Sequence, residues 1–195
     1  MNQITDNEMG FVLSIFKSPE KEYNASSIAR KMGLSRMGAL KIARRLEKEG
    51  IISSKEMGKA KFYSLNLSSD YVRQYVLFLL KRECEQAEPY AKVWVEDIRK
   101  LKSAEAAILF GSVLRKGRHA NDIDVLFLIK DAEQYKDLVK EINDMNMLHT
   151  KRMHPMFQAR EDFKNNIKKG DKPLLNAIKG IAVLGEEKIM ELMER

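Results

Sequence analysis

Apolar positions recur at helical spacing in three stretches near the start of the chain. Met9, Val12, Leu13 and Phe16 share one face of a helix expected over residues 6–17, with Asp6 as its cap and Pro19 as its stop. Ile28, Ala29 and Met32 define a second, capped by Asn24 and closed by Gly33. Ala39, Ile42, Ala43 and Leu46 form one stripe on a third, from about Arg36 to Glu49, with Ser35 as cap and Gly50 as stop. The period then shortens to two. Ile51-Ile52 and Lys61-Phe62-Tyr63-Ser64-Leu65 read as strands across a turn at Met57-Gly58-Lys59. Next comes an unusually apolar helix over 71–86, carrying Tyr71, Val72, Tyr75, Val76, Phe78 and Leu79. After Pro89 a further helix runs through Val93, Trp94, Ile98 and Leu101. A stripe this wide needs cover on more than one side, and either packing on both flanking domains or a two-fold homodimer supplies it. From Glu105 onward strands and helices alternate: a buried-type run Ala106–Phe110, a second at Ile123–Ile129, a helix over 132–146 and a strand over 150–157.

These elements predict an α+β chain in three parts: residues 1–67 with three helices and a hairpin, a helical connector at 68–102, and a mixed-sheet domain at 103–195. The segment SIARKMGLSRMGALKIARRLEKEGIISSKEMGKAKFYSLN resembles the winged helix-turn-helix domains of prokaryotic transcriptional regulators, with the LEKEGII exit and the KFYSLN second wing strand in place. The resemblance covers about 65 residues. It implies that the third helix enters the major groove of double-stranded DNA and that the wing touches the phosphate backbone. The candidate DNA contacts are Arg36, Met37, Lys41, Arg44 and Arg45 on the helix and Lys59 and Lys61 on the wing. The same domain could instead dock a protein.

Charge supports the polyanion reading. The chain of 195 residues carries a net +7. Residues 1–66 hold 12 Lys and Arg against 7 Asp and Glu, a net +5, so the excess is concentrated in the first third. The longest uncharged apolar run, Tyr75–Leu80, falls far short of the roughly 20 residues of a membrane-spanning helix. With polar and acidic residues among the first ten, a cytoplasmic protein is expected. Cys84, the lone cysteine, can form no internal disulfide and reads as a small hydrophobe on a helix.

In the last third, Asp122 and Asp124 stand at i and i+2 on a strand and so point to one face. Two carboxylates so placed repel each other and lose hydration unless a cation lies between them. The stretch LFGSVLRKGRHANDIDVLFLI resembles the active-site motif of the DNA polymerase β-like nucleotidyltransferases, particularly the minimal ones: a strand ending in Gly-Ser, a turn into a helix, then a D-x-D strand. By that resemblance Gly111 admits the triphosphate of an NTP, Ser112 donates to a phosphate at a helix N-terminus, and Asp122 and Asp124 are the catalytic residues that hold Mg²⁺. Arg115 and Lys116, with Arg118 nearby, are candidate nucleotide contacts or merely solvated loop cations.

Two departures stand out. The glycine after the Gly-Ser pair, Gly117, falls one position late, and the loop to the D-x-D is about a residue short. The later strand that carries a third carboxylate in active members has none over 150–157; Asp144 lies before it, at the tail of a helix. His154 is either its substitute or a structural histidine beside Pro155. Further on, Leu174–Gly185 looks like the helix and short strand that close such domains. The expected function is a DNA-binding transcriptional regulator whose second domain senses or binds nucleotide. Two alternatives remain open: an active Mg²⁺-dependent nucleotidyltransferase acting on a protein or nucleic-acid hydroxyl, and an antitoxin-like interaction module.

Overall fold

The computed structural model describes residues 4–194 and divides into two compact units, one ending at Leu79 and the other beginning at Leu80. The first opens with α1 (Asp6–Phe16), β1 (Tyr23–Asn24), α2 (Ala25–Met32) and α3 (Arg36–Lys48), followed by the hairpin β2 (Ile52–Met57) and β3 (Ala60–Leu65). The cap of α1 is Thr5 rather than the expected Asp6. Thr5 accepts from the Glu8 amide while the Glu8 carboxylate accepts from the Thr5 amide, a reciprocal box that a lone aspartate cannot form. Asn24 and Ser35 cap α2 and α3 as expected, and Gly33 ends α2 in the left-handed conformation. The two-residue strand β1, too short to read from periodicity, joins the hairpin to give an antiparallel sheet in the order β1-β3-β2. Phe11, Val12, Ile28, Ala39, Ala43, Leu46 and Ile51 are essentially inaccessible, so the sheet and three helices close one small core. This is the winged-helix order. The helix α4 (Asp70–Glu85) follows, and the division between the units falls within it.

The second unit holds α5 (Pro89–Ile98), β4 (Ala106–Phe110), α6 (Val113–Lys116), β5 (Ile123–Ile129), α7 (Ala132–Leu148), β6 (Met153–Ala159), α8 (Arg160–Lys169), α9 (Lys172–Ala177), β7 (Ile181–Leu184) and α10 (Glu186–Met193). Its sheet has the order β6-β5-β4-β7 and is mixed: β5 runs parallel to β6, and β4 runs antiparallel to both of its neighbours. One face, with Leu109, Ile123, Val125 and Phe127, packs with Trp94, Val95 and Ile98 of α5 and with Leu138 and Ile142 of α7. The connector expected over 68–102 is therefore not a separate part. Its second helix completes the core of the mixed-sheet unit, which is why Trp94 is only 2% exposed. On α4, Leu79 is fully buried and Phe78 is half exposed, so these two residues of the expected wide apolar stripe have different surroundings. Among the described residues no helix is long and apolar enough to cross a membrane.

Candidate functional site

The residues singled out in the sequence fall into two groups, one in each unit. On α3 the buried stripe Ala39, Ala43 and Leu46 fixes the rotation of the helix, which leaves Arg36, Met37, Lys41 and Arg44 exposed, Met37 by 59%. Lys59 and Lys61 are exposed at the hairpin, where Lys61 lies 3.7 Å from Glu56 across the strands. Arg45, expected on the same displayed face, is instead tied down. Its guanidinium lies 2.7 Å from the buried Glu8 carboxylate and 3.0 Å from Glu49. These acids, Glu49 first, raise its pKa further. One helical step of 100° separates Arg44 from Arg45 and turns the second toward α1. Sequence periodicity could not show this, because the partner that draws Arg45 inward lies 37 positions upstream.

In the second unit the strand β4 ends at Phe110, and Gly111 turns the chain in the left-handed region at φ 82°. A Cβ at Gly111 would overlap the Asp124 carboxylate, so glycine is required both by the backbone and by the carboxylate beside it. Ser112 follows as the cap of α6, and its side chain makes no capping hydrogen bond. The anion site expected there at a helix N-terminus has only the four residues of α6 behind it, too few peptide dipoles to attract a phosphate by the helix field. Arg115 and Lys116 are exposed in α6, and a 3₁₀ turn at Gly117–His119 leads on to the D-x-D strand. The Lys151 ammonium donates to the Ala120 carbonyl and the Ile123 amide to Arg152, which ties this loop to the start of β6.

Asp124 pairs with Phe110 on one side and with His154 on the other, so the histidine stands directly beside the second aspartate on the parallel neighbour strand. Its Nδ1 is 3.4 Å from Asp122 Oδ2. One ligand atom from each of Asp122, Asp124 and His154 lies within 4.8 Å of the others. His154 thus occupies the place where the third carboxylate was sought, one strand over from the pair. The signal that could have found it is the parallel register of β5 and β6, which composition does not encode. Partial burial first, and then the Asp122 charge, push the Asp124 carboxyl above its usual range, while His154 opposes the rise. Two carboxylates and an imidazole fit a divalent cation. They do not make the all-oxygen set that Mg²⁺ demands, because the third donor is a nitrogen.

No protein-family model and no curated protein sequence matches the chain. Among solved structures it is similar to the adhesin competence repressor AdcR of Streptococcus pyogenes, at 10% identity over 52% of this chain and 70% of that one, with a TM-score of 0.38. It is also similar to a variant of ZitR from Lactococcus lactis, at 16% identity over 51% of this chain and 64% of that one, with a TM-score of 0.34. At these values the likenesses add nothing to what the chain's own geometry shows.

Proposed function

We propose that the protein is a DNA-binding transcriptional regulator whose second unit binds a nucleotide with a divalent cation. The observation that carries the DNA reading is the α3 surface. Arg36, Met37, Lys41 and Arg44 stand exposed on the helix that a winged-helix domain inserts into the major groove, with Lys59 and Lys61 on the wing. Double-stranded DNA is the partner such a surface fits, because exposed guanidinium and ammonium groups on the helix and wing can meet phosphates and base edges, Lys61 exchanging its cross-strand contact with Glu56 for a phosphate. The test is a titration of a random-sequence duplex at rising salt. Affinity should fall steeply as neutralised phosphates release counterions, with the log–log slope reduced by about 0.9 for each phosphate contact removed in Lys41→Ala or Arg44→Ala. Salt-insensitive binding, or variants with unchanged affinity and slope, would move α3 out of the interface.

The Gly-Ser and D-x-D stretch of the second unit resembles the motif of a minimal nucleotidyltransferase, and His154 beside Asp122 and Asp124 is the observation that favours a working cation site there. The bound cation would neutralise phosphate charge. The chain's own residues would do the rest: Gly111 lets the backbone come close, Ser112 offers a hydroxyl, and Arg115 and Lys116 bring positive charge to the phosphates. Nucleotidyl transfer to a protein or nucleic-acid hydroxyl is the second reading of this site, and incubation with labelled ATP and candidate acceptors distinguishes transfer from binding.

A further inference from the structure

We propose that the Asp122–Asp124–His154 site selects a first-row transition dication over Mg²⁺, which makes His154 a metal ligand rather than a structural residue; this rests on the reading above that the site holds a cation. Three observations converge on it. The imidazole stands in register beside Asp124 on a parallel strand, an arrangement held by backbone pairing along the whole of β5 and β6. Its Nδ1 approaches Asp122 at 3.4 Å, so a nitrogen and carboxylate oxygens already face a common point. The His154 side chain is 63% exposed and neighbours Met153 and Pro155, so it fills no core position that would account for it by packing.

The donor set decides the metal. Mg²⁺ is a hard, small ion that keeps oxygen ligands and several waters, and it gains little from an imidazole. Iron, cobalt and zinc take imidazole nitrogen more readily than Mg²⁺ does, and affinity at nitrogen and oxygen sites rises from manganese through iron and cobalt towards copper. An aspartate in place of His154 would convert the set to three carboxylates, the hard-oxygen donors that suit Mg²⁺. The Asp124 carboxylate lies against Gly111, where any side chain would take its place. Selection is therefore assigned to one side chain.

The chelator-treated full chain is titrated calorimetrically with Mg²⁺, Mn²⁺ and Co²⁺, and the Mn²⁺ form is examined by pulsed electron paramagnetic resonance. Wild type should bind Co²⁺ at least about tenfold more tightly than Mg²⁺, as the ligand-field order and an imidazole donor require. Mn²⁺ should show the modulation of one coordinated imidazole nitrogen. In His154→Asp that signal should vanish and the preference for Co²⁺ over Mg²⁺ should shrink to within about threefold. Mg²⁺ binding as tight as Co²⁺ in the wild type, or an unmodulated Mn²⁺ signal, overturns the selection and leaves the cation site standing. Persistence of the nitrogen signal in His154→Ala also overturns it, because the ligand would then be His119 or His149. If none of the three ions binds while circular dichroism shows an intact fold, the cation reading of the site fails as well.

Discussion

Asp124 follows the fully buried Ile123 and lies against Gly111, where its ionised form has lost water and faces the charge of Asp122. Its folded pKa is raised above the unfolded value, so the folded state holds that proton more tightly than the unfolded chain does. Such a group favours folding at low pH, and the benefit is lost as pH rises through the folded pKa. At neutral pH and without a cation the ionised carboxylate is thus a cost. Asp124→Asn in chelator should raise Tm by about 2 °C or more at pH 7. The gap should close as pH falls through the carboxylate range, and thermal melts across pH measure it. An offset that stays constant with pH would mean that the charge of Asp124 costs the fold nothing.

At the scale of elements, α3 shows what periodicity reaches and where it stops. Of the expected stripe, Ala39, Ala43 and Leu46 are buried and Ile42 is half-buried; it was legible, with Ser35 before it, because neighbours on one helix face are set by the 3.6-residue period alone. The inward pull on Arg45 was not, since it depends on Glu8 in a helix far away in sequence. The two arginines should therefore part company. Arg45→Ala strips the buried Glu8 of its Arg45 cation, leaving it, among the described residues, the amide and hydroxyl of Thr5, and should lower Tm by a few degrees. Arg44→Ala should leave Tm unchanged and weaken DNA binding. Thermal melts beside a binding titration separate the two, and equal effects in both assays would refute the division. The same limit applies to α4. Tyr71 and Phe78, seven positions apart, are both more than half exposed, whereas Leu79 is enclosed. If a second copy covers that face, light scattering of the wild type should give about twice the chain mass and Phe78→Glu should give a monomer; Leu79→Glu would instead unfold the chain. A monomeric wild type at micromolar concentration would rule the dimer out.

For the whole molecule, what sequence left unread was mostly pairing between distant segments. The strands Ala106–Phe110 and Ile123–Ile129 were legible to the residue because apolar runs between polar loops mark buried strands. The strand, helix and strand expected from Ile123 onward already form the crossover that joins parallel neighbours, but the register of β6 on β5, which sets His154 beside Asp124, has no local signature. The membership of α5 in the second core was hidden for the same reason: its apolar face fits any neighbouring surface. The regulator reading adds a requirement at this scale. If nucleotide at the second unit governs DNA binding by the first, the coupling must be reciprocal, because both ligands act on one equilibrium. Saturating ATP with Co²⁺ should change the affinity for a fixed duplex by at least about fivefold, and saturating duplex should change the affinity for the nucleotide by the same factor and in the same direction. Anisotropy of a labelled duplex and of a fluorescent nucleotide analogue measures the two arms. A duplex affinity that ATP leaves unchanged, in a chain that binds both, would mean that the second unit is no sensor and would shift the weight to the transferase reading.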